Sequence, residues 1–126
     1  MSDVKEVLFT AISVDGTPIR CAVEGNGAPL IMIHGTGDTY KGFRRLKEQL
    51  SPSFTLYMMD RRGRGISGDG DDAKYELARE FEDVAAVIDA LARQTGGPVN
   101  VFAHSFGAMS ALEGALLTQN LRRMVC

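Results

Sequence analysis

Val99-Asn100-Val101-Phe102-Ala103-His104-Ser105-Phe106-Gly107-Ala108 is the stretch that decides how this chain is read. Val99 to Ala103 has the length and apolar character of a buried strand. A helical pattern begins just after Ser105. Between them lies small-x-Ser-x-Gly, the spacing of a nucleophile elbow, a turn so tight that the Ser side chain stands up at the strand's end. Larger residues beside the Ser would strike the neighbouring strand and helix. Ala103 and Gly107 fill those two places. The plainer alternative is a buried or capping Ser that happens to precede Gly. The strand before it and the helix after it favour the elbow.

The same alternation runs outward. Upstream, Pro29-Leu30-Ile31-Met32-Ile33 is an almost unbroken apolar run ending at His34-Gly35-Thr36-Gly37. Phe54 to Met59 is another, ending at Asp60. Continuous hydrophobicity suggests strands covered on both faces, as in a parallel sheet under helices. Before them, Val4 to Val14 and Thr17 to Glu24 read as an antiparallel hairpin around the Asp15-Gly16 turn signal. Gly25-Asn26-Gly27 breaks the chain before the next strand. Gly42 to Leu50 carries a short helical pattern. Leu77, Phe81, Val84, Ile88 and Leu91 form one stripe at spacings of four, three, four and three, a helix closed by Gly96-Gly97-Pro98. Its acidic residues stand toward the front and Arg93 toward the back, which suits the helix dipole. Leu121 to Cys126 opens a further strand. The expected fold is α/β: a mainly parallel sheet of about six strands, entered through an antiparallel hairpin.

Composition narrows the function. The chain has 126 residues, 44% hydrophobic and 24% charged, enough for one domain with one core. A net charge of -2 and a pI near 5.6 carry no nucleic-acid footprint. Met1 to Glu6 is charged and lacks a signal-peptide core. No apolar run approaches the roughly 20 residues that span a bilayer. Cys21 and Cys126 have no metal-ligand spacing and read as reduced thiols, which places the chain in the cytoplasm. No metal or cofactor is implied.

In parallel sheets ligands bind at the carboxyl ends of the strands. That rule gathers His34 to Gly37, Asp60 to Gly65 and His104 to Gly107 on one edge. Acyl transfer needs a nucleophile, a base, an orienting acid and donors for the oxyanion. Ser105 fits the nucleophile. The Phe106 N–H, at a helix N-terminus, fits one oxyanion donor. The Thr36 N–H fits a second, with Gly35 and Gly37 allowing close approach.

Taken in order, Pro29 to Gly37, then Asp60-Arg61-Arg62-Gly63-Arg64-Gly65-Ile66-Ser67, then Ala103 to Gly107 resemble the N-terminal half of an α/β-hydrolase. The chain is most similar to the single-domain hydrolase and esterase branch that includes cofactor-free haloperoxidases and lactonases. Ala103 stands where that family more often has Gly. The resemblance implies a serine hydrolase acting on small esters, thioesters or lactones. It implies that His34 is structural, supporting its turn. It also places the catalytic acid and His after the nucleophile, on loops following later strands. The only histidines are His34 and His104, and neighbours on an elbow point apart. Glu113 falls about two turns into the elbow helix. No residue here is assigned as catalytic acid or base, so residues 1–126 are expected to form a partial hydrolase domain, nearly inactive alone.

Other signals are set aside. Gly63-Arg64-Gly65-Ile66-Ser67-Gly68 spells a dinucleotide fingerprint, but Asp69-Gly70-Asp71-Asp72 follows it. Those residues should not open a helix, and their carboxylates would repel a pyrophosphate. Arg61 to Arg64 reads as a solvated loop, and Lys41, Arg44, Arg45 and Lys47 as an exposed helix face. A competing functional reading is a non-catalytic binding or assembly module. Its strand at Leu121 to Val125 would be an open edge through which copies associate.

Overall fold

The computed structural model describes residues 7–126. Six strands form one sheet in the order β1-β2-β4-β3-β5-β6. They are β1 (Val7–Ile12), β2 (Pro18–Gly25), β3 (Ala28–Ile33), β4 (Phe54–Met59), β5 (Val99–Ala103) and β6 (Leu121–Val125). The helices are α1 (Arg44–Leu50), α2 (Leu77–Thr95) and α3 (Phe106–Ala115). Short 3-10 turns occupy Tyr40–Phe43 and Asp72–Lys74. The expected α/β sheet with its entry hairpin is therefore present. The part of the first expected strand before Val7 lies outside the described residues.

β1 and β2 pair antiparallel, and so do β2 and β4. β4, β3, β5 and β6 run parallel. The hairpin thus joins the parallel sheet through β4 and not through its sequence neighbour β3.

Alternation along the central strands divides two cores. Ile31 and Ile33 of β3, with Tyr57 and Met59 of β4, face the layer that holds Val84, Val87, Ile88 and Leu91 of α2. Met32, Leu56 and Met58 face the other way, toward Tyr40 and Phe43. Ile31, Met32 and Ile33 are wholly buried, which is why this run has no polar positions. Leu77, the first residue of the α2 stripe, is largely exposed, so the buried part of the stripe begins further along.

Candidate active site

Because β4, β3 and β5 are parallel neighbours, their carboxyl ends bring three distant turns side by side. Each of the turns expected at this edge lies there.

The turn after β5 carries Ser105 at φ 57°, ψ -123°, the single non-glycine residue with positive φ among those described. A conformation that L-residues avoid persists only where the surroundings impose it, and it costs roughly 1–3 kcal/mol. Here the surroundings are backbone. A Cβ on Gly107 would lie 2.5 Å from the His34 carbonyl oxygen and 2.8 Å from that of Ile33. The start of α3 therefore sits directly on the end of β3. Ala103 is fully buried before the turn. Ser105 itself is exposed.

The turn after β3 meets the elbow from the other side. A Cβ on Gly35 would lie 3.0 Å from Ser105 Cβ and 3.4 Å from its Oγ. Gly35 thus leaves the space the Ser side chain needs. Gly37 has φ 79°, and the turn's Asp38 N–H donates to the Gly35 carbonyl at 3.4 Å. That bond does not use the Thr36 N–H, and Thr36 is exposed. The Phe106 N–H, first in α3, has no carbonyl one turn behind it.

His34 is 1% exposed, and both ring nitrogens are engaged. Nδ1 lies 2.9 Å from the Gly35 carbonyl oxygen, and Nε2 lies 3.3 Å from the Arg61 N and 3.4 Å from Asp60 Oδ1. The ring therefore ties the β3 and β4 turns together. The His104 N–H donates to Ile33 O at 3.1 Å while its ring is exposed.

The β4 turn departs from the sequence reading. Arg61 and Arg62 do not belong to a solvated loop; they are 5% and 4% exposed. Arg61 forks onto Glu80, with Nε to Oε1 at 2.6 Å and Nη2 to Oε2 at 3.0 Å. Arg62 forks onto Asp83, Nε to Oδ2 and Nη2 to Oδ1, both at 2.7 Å, and reaches Asp15 at 2.8 Å through Nη1. The Ser13 hydroxyl also donates to Asp83, at 2.6 Å. Hydrogen bonding to Asp83 pushes the Arg62 guanidinium further up, and the Arg62 contact holds the Asp15 carboxyl below the usual carboxylate range. Burial raises the Glu80 carboxyl, but the Arg61 and Tyr75 hydrogen bonds outweigh it and the net direction is down. Asp60, fully buried, accepts the Tyr40 N–H at 2.7 Å and the Ile66 N–H at 2.9 Å, fixing the loop on either side.

A signal for these pairs does exist in the sequence. Glu80 and Asp83 sit one helical turn before Val84 and Val87, on the apolar stripe of α2. Carboxylates on a buried face require cationic partners. Two consecutive arginines after a buried strand supply them. The glycine run Gly63 to Gly68 closes on itself, with the Gly63 N–H bonded to Gly68 O at 2.8 Å, and α2 begins only at Leu77.

The alpha/beta hydrolase family model matches residues 30–126. A 2-(acetamidomethylene)succinate hydrolase from Mesorhizobium japonicum is 32% identical over 102 residues, covering 81% of this chain and 35% of that protein. An alpha/beta hydrolase from Sphaerobacter thermophilus superposes with a TM-score of 0.78 at 41% identity, covering 92% of this chain and 43% of that one. An esterase from Rhodococcus sp. ECU1013 gives 0.78 at 27% identity, over 94% of this chain and 45% of its own. The chain spans about a third of the length of the curated relatives it matches. By the match over residues 30–126, and by a sheet edge built as described, this chain belongs to the alpha/beta hydrolase family.

Proposed function

We propose that Ser105 is the nucleophile of an acyl hydrolase, with the Phe106 and Thr36 N–H groups as oxyanion donors. The observation that carries this reading is the forced positive φ of Ser105 at a strand-to-helix junction, with Gly35 packed against its side chain. Such strain is held where it serves a purpose. The substrate class it fits is a small ester, thioester or lactone. An esterase among the structural relatives supports that class. In this reading neither histidine is the base, since His34 has both ring nitrogens engaged and His104 precedes Ser105 on the turn, and no acid is assigned within residues 1–126. Unpaired Cys21 and Cys126 support a reducing compartment such as the cytoplasm. Among the described residues no helix is long and apolar enough to cross a membrane.

A fluorophosphonate probe read by mass spectrometry tests the assignment. Without a base, Ser105 should label on the order of 10⁶-fold more slowly than in a complete triad. Added imidazole should speed that labelling, and Ser105→Ala should abolish it. Labelling at another residue, or none with imidazole, would remove Ser105 as the nucleophile. Rapid labelling without imidazole would show a base within the chain.

A second reading, assembly through β6, is favoured by one specific surface. β6 is an edge strand of the sheet among the described residues; its Val125 is 62% exposed, and Leu112, Leu116 and Leu117, in and just after α3, are 56–81% exposed. Unpaired edge backbone and exposed apolar side chains both invite association. Arg122 and Arg123 interrupt the strand's apolar character, so association would draw on backbone pairing and on Leu112, Leu116 and Leu117. Light scattering should find dimers or larger species. A monomer with a cooperative melt would end this reading.

A further inference from the structure

Arg61 makes contacts that the hydrolase reading does not require. Its backbone N–H reaches His34 and so the Gly35 turn. Its guanidinium forks onto Glu80 of α2. Its Cζ lies 4.1 Å from the centre of the Phe106 ring. Three elements of the site therefore meet at one residue. Glu80 has a second partner, the Tyr75 hydroxyl, which leaves its carboxylate held from two sides.

A purely structural account falls short. A buried ion pair is weak grounds for stability, since packed apolar side chains could join α2 to the β4 turn as well. The pair also leaves Arg61 Nη1 buried without a hydrogen-bond partner among the described residues. What an arginine adds is direction. A fork held by two parallel hydrogen bonds fixes the guanidinium plane, and a fixed plane presents its face to a ring. Its charge is already matched by Glu80, so it is poorly suited to attract a distant anion. It is well suited to hold an aromatic neighbour by stacking. That neighbour is the first residue of α3, whose N–H stands at the elbow.

We propose that Arg61 is a positioning residue of the site: gripped by Glu80, its guanidinium carries the Phe106 ring and so fixes the Phe106 N–H beside Ser105. The catalytic meaning of this placement rests on the reading of Phe106 as an oxyanion donor. The placement itself does not.

The test compares wild type with Arg61→Lys, which keeps the charge and loses the plane, and with the exposed-face control Arg45→Lys. Two readouts are taken on the same chain: the ¹H–¹⁵N resonance of the Phe106 amide, and the imidazole-assisted labelling rate at Ser105. In Arg61→Lys the amide resonance should move and labelling should fall about tenfold, as misplacing a catalytic group does. Arg45→Lys should change neither. An unmoved amide with a labelling rate within about twofold of wild type, against that expected loss, overturns the proposal even if the melting temperature falls. If wild type does not label with imidazole, the nucleophile assignment fails, and the amide shift alone decides the placement. Should Arg61→Lys not fold, Phe106→Leu keeps the bulk and removes the ring face. The Arg61 Nε–H resonance should then lose its ring-current shift and labelling should fall alike; no change in either overturns the proposal.

Discussion

Gly107→Ala is expected to destabilise the chain by about 2 kcal/mol, although glycine to alanine within a helix ordinarily stabilises. Two effects oppose each other. Helix propensity favours alanine by about 1 kcal/mol. Against it, the new Cβ would lie 2.5 Å and 2.8 Å from two backbone carbonyl oxygens. Neither can rotate aside, so overpacking of about 3 kcal/mol, the upper end of the usual range, wins. At roughly 4 °C per kcal/mol the melting temperature should fall about 8 °C. Gly97→Ala is the matched control, because nothing lies within 4 Å of its Cβ position. It should shift stability by less than about 0.5 kcal/mol. If denaturant titration shows Gly107→Ala as stable as wild type, the contact between α3 and the β3 turn is looser than described.

Asp83→Ala should cost more, about 3–5 kcal/mol, because it leaves a buried guanidinium without its principal partner. Asp83 is 1% exposed and accepts two Arg62 hydrogen bonds and one from Ser13. Asp15 also binds Arg62, but its side chain is 28% exposed, and solvent takes part in screening that pair. Asp15→Ala should therefore cost on the order of 1 kcal/mol. The ranking is the point to measure, by urea unfolding of both variants. If Asp15→Ala proves the more damaging, the Arg62 charge is balanced at the hairpin and not in the interior.

Most of the fold was readable from local pattern. β4 begins and ends at Phe54 and Met59 as the apolar run does, and β5 likewise spans Val99 to Ala103. The elbow was readable because a positive-φ turn between strand and helix restricts both flanks to small residues. The pairing of β2 with β4 was not, because nothing in Pro18–Gly25 marks which strand it will join. The burial of Arg61 and Arg62 was also missed. A charged turn looks solvated until its partners are known, and Glu80 and Asp83 lie about twenty residues away on another element. Their position on the α2 stripe held the clue, yet the acidic residues read equally well as a complement to the helix dipole.

The sheet order has a consequence for how the chain is made. β3 is synthesised early and finished late. One of its edges can pair with β4 once residue 59 has left the ribosome, while the other must wait for Val99–Ala103. During that interval a nascent chain leaving the ribosome would hold four strands with β3 as an open parallel edge. Ile19, Ile31 and Ile33 would also be bare until α2 has emerged to cover them. Such an intermediate has both hallmarks of aggregation, an unpaired edge and an uncovered apolar face. The passage of residues 60–103 out of the ribosome is therefore a stage at which this sheet is open to association.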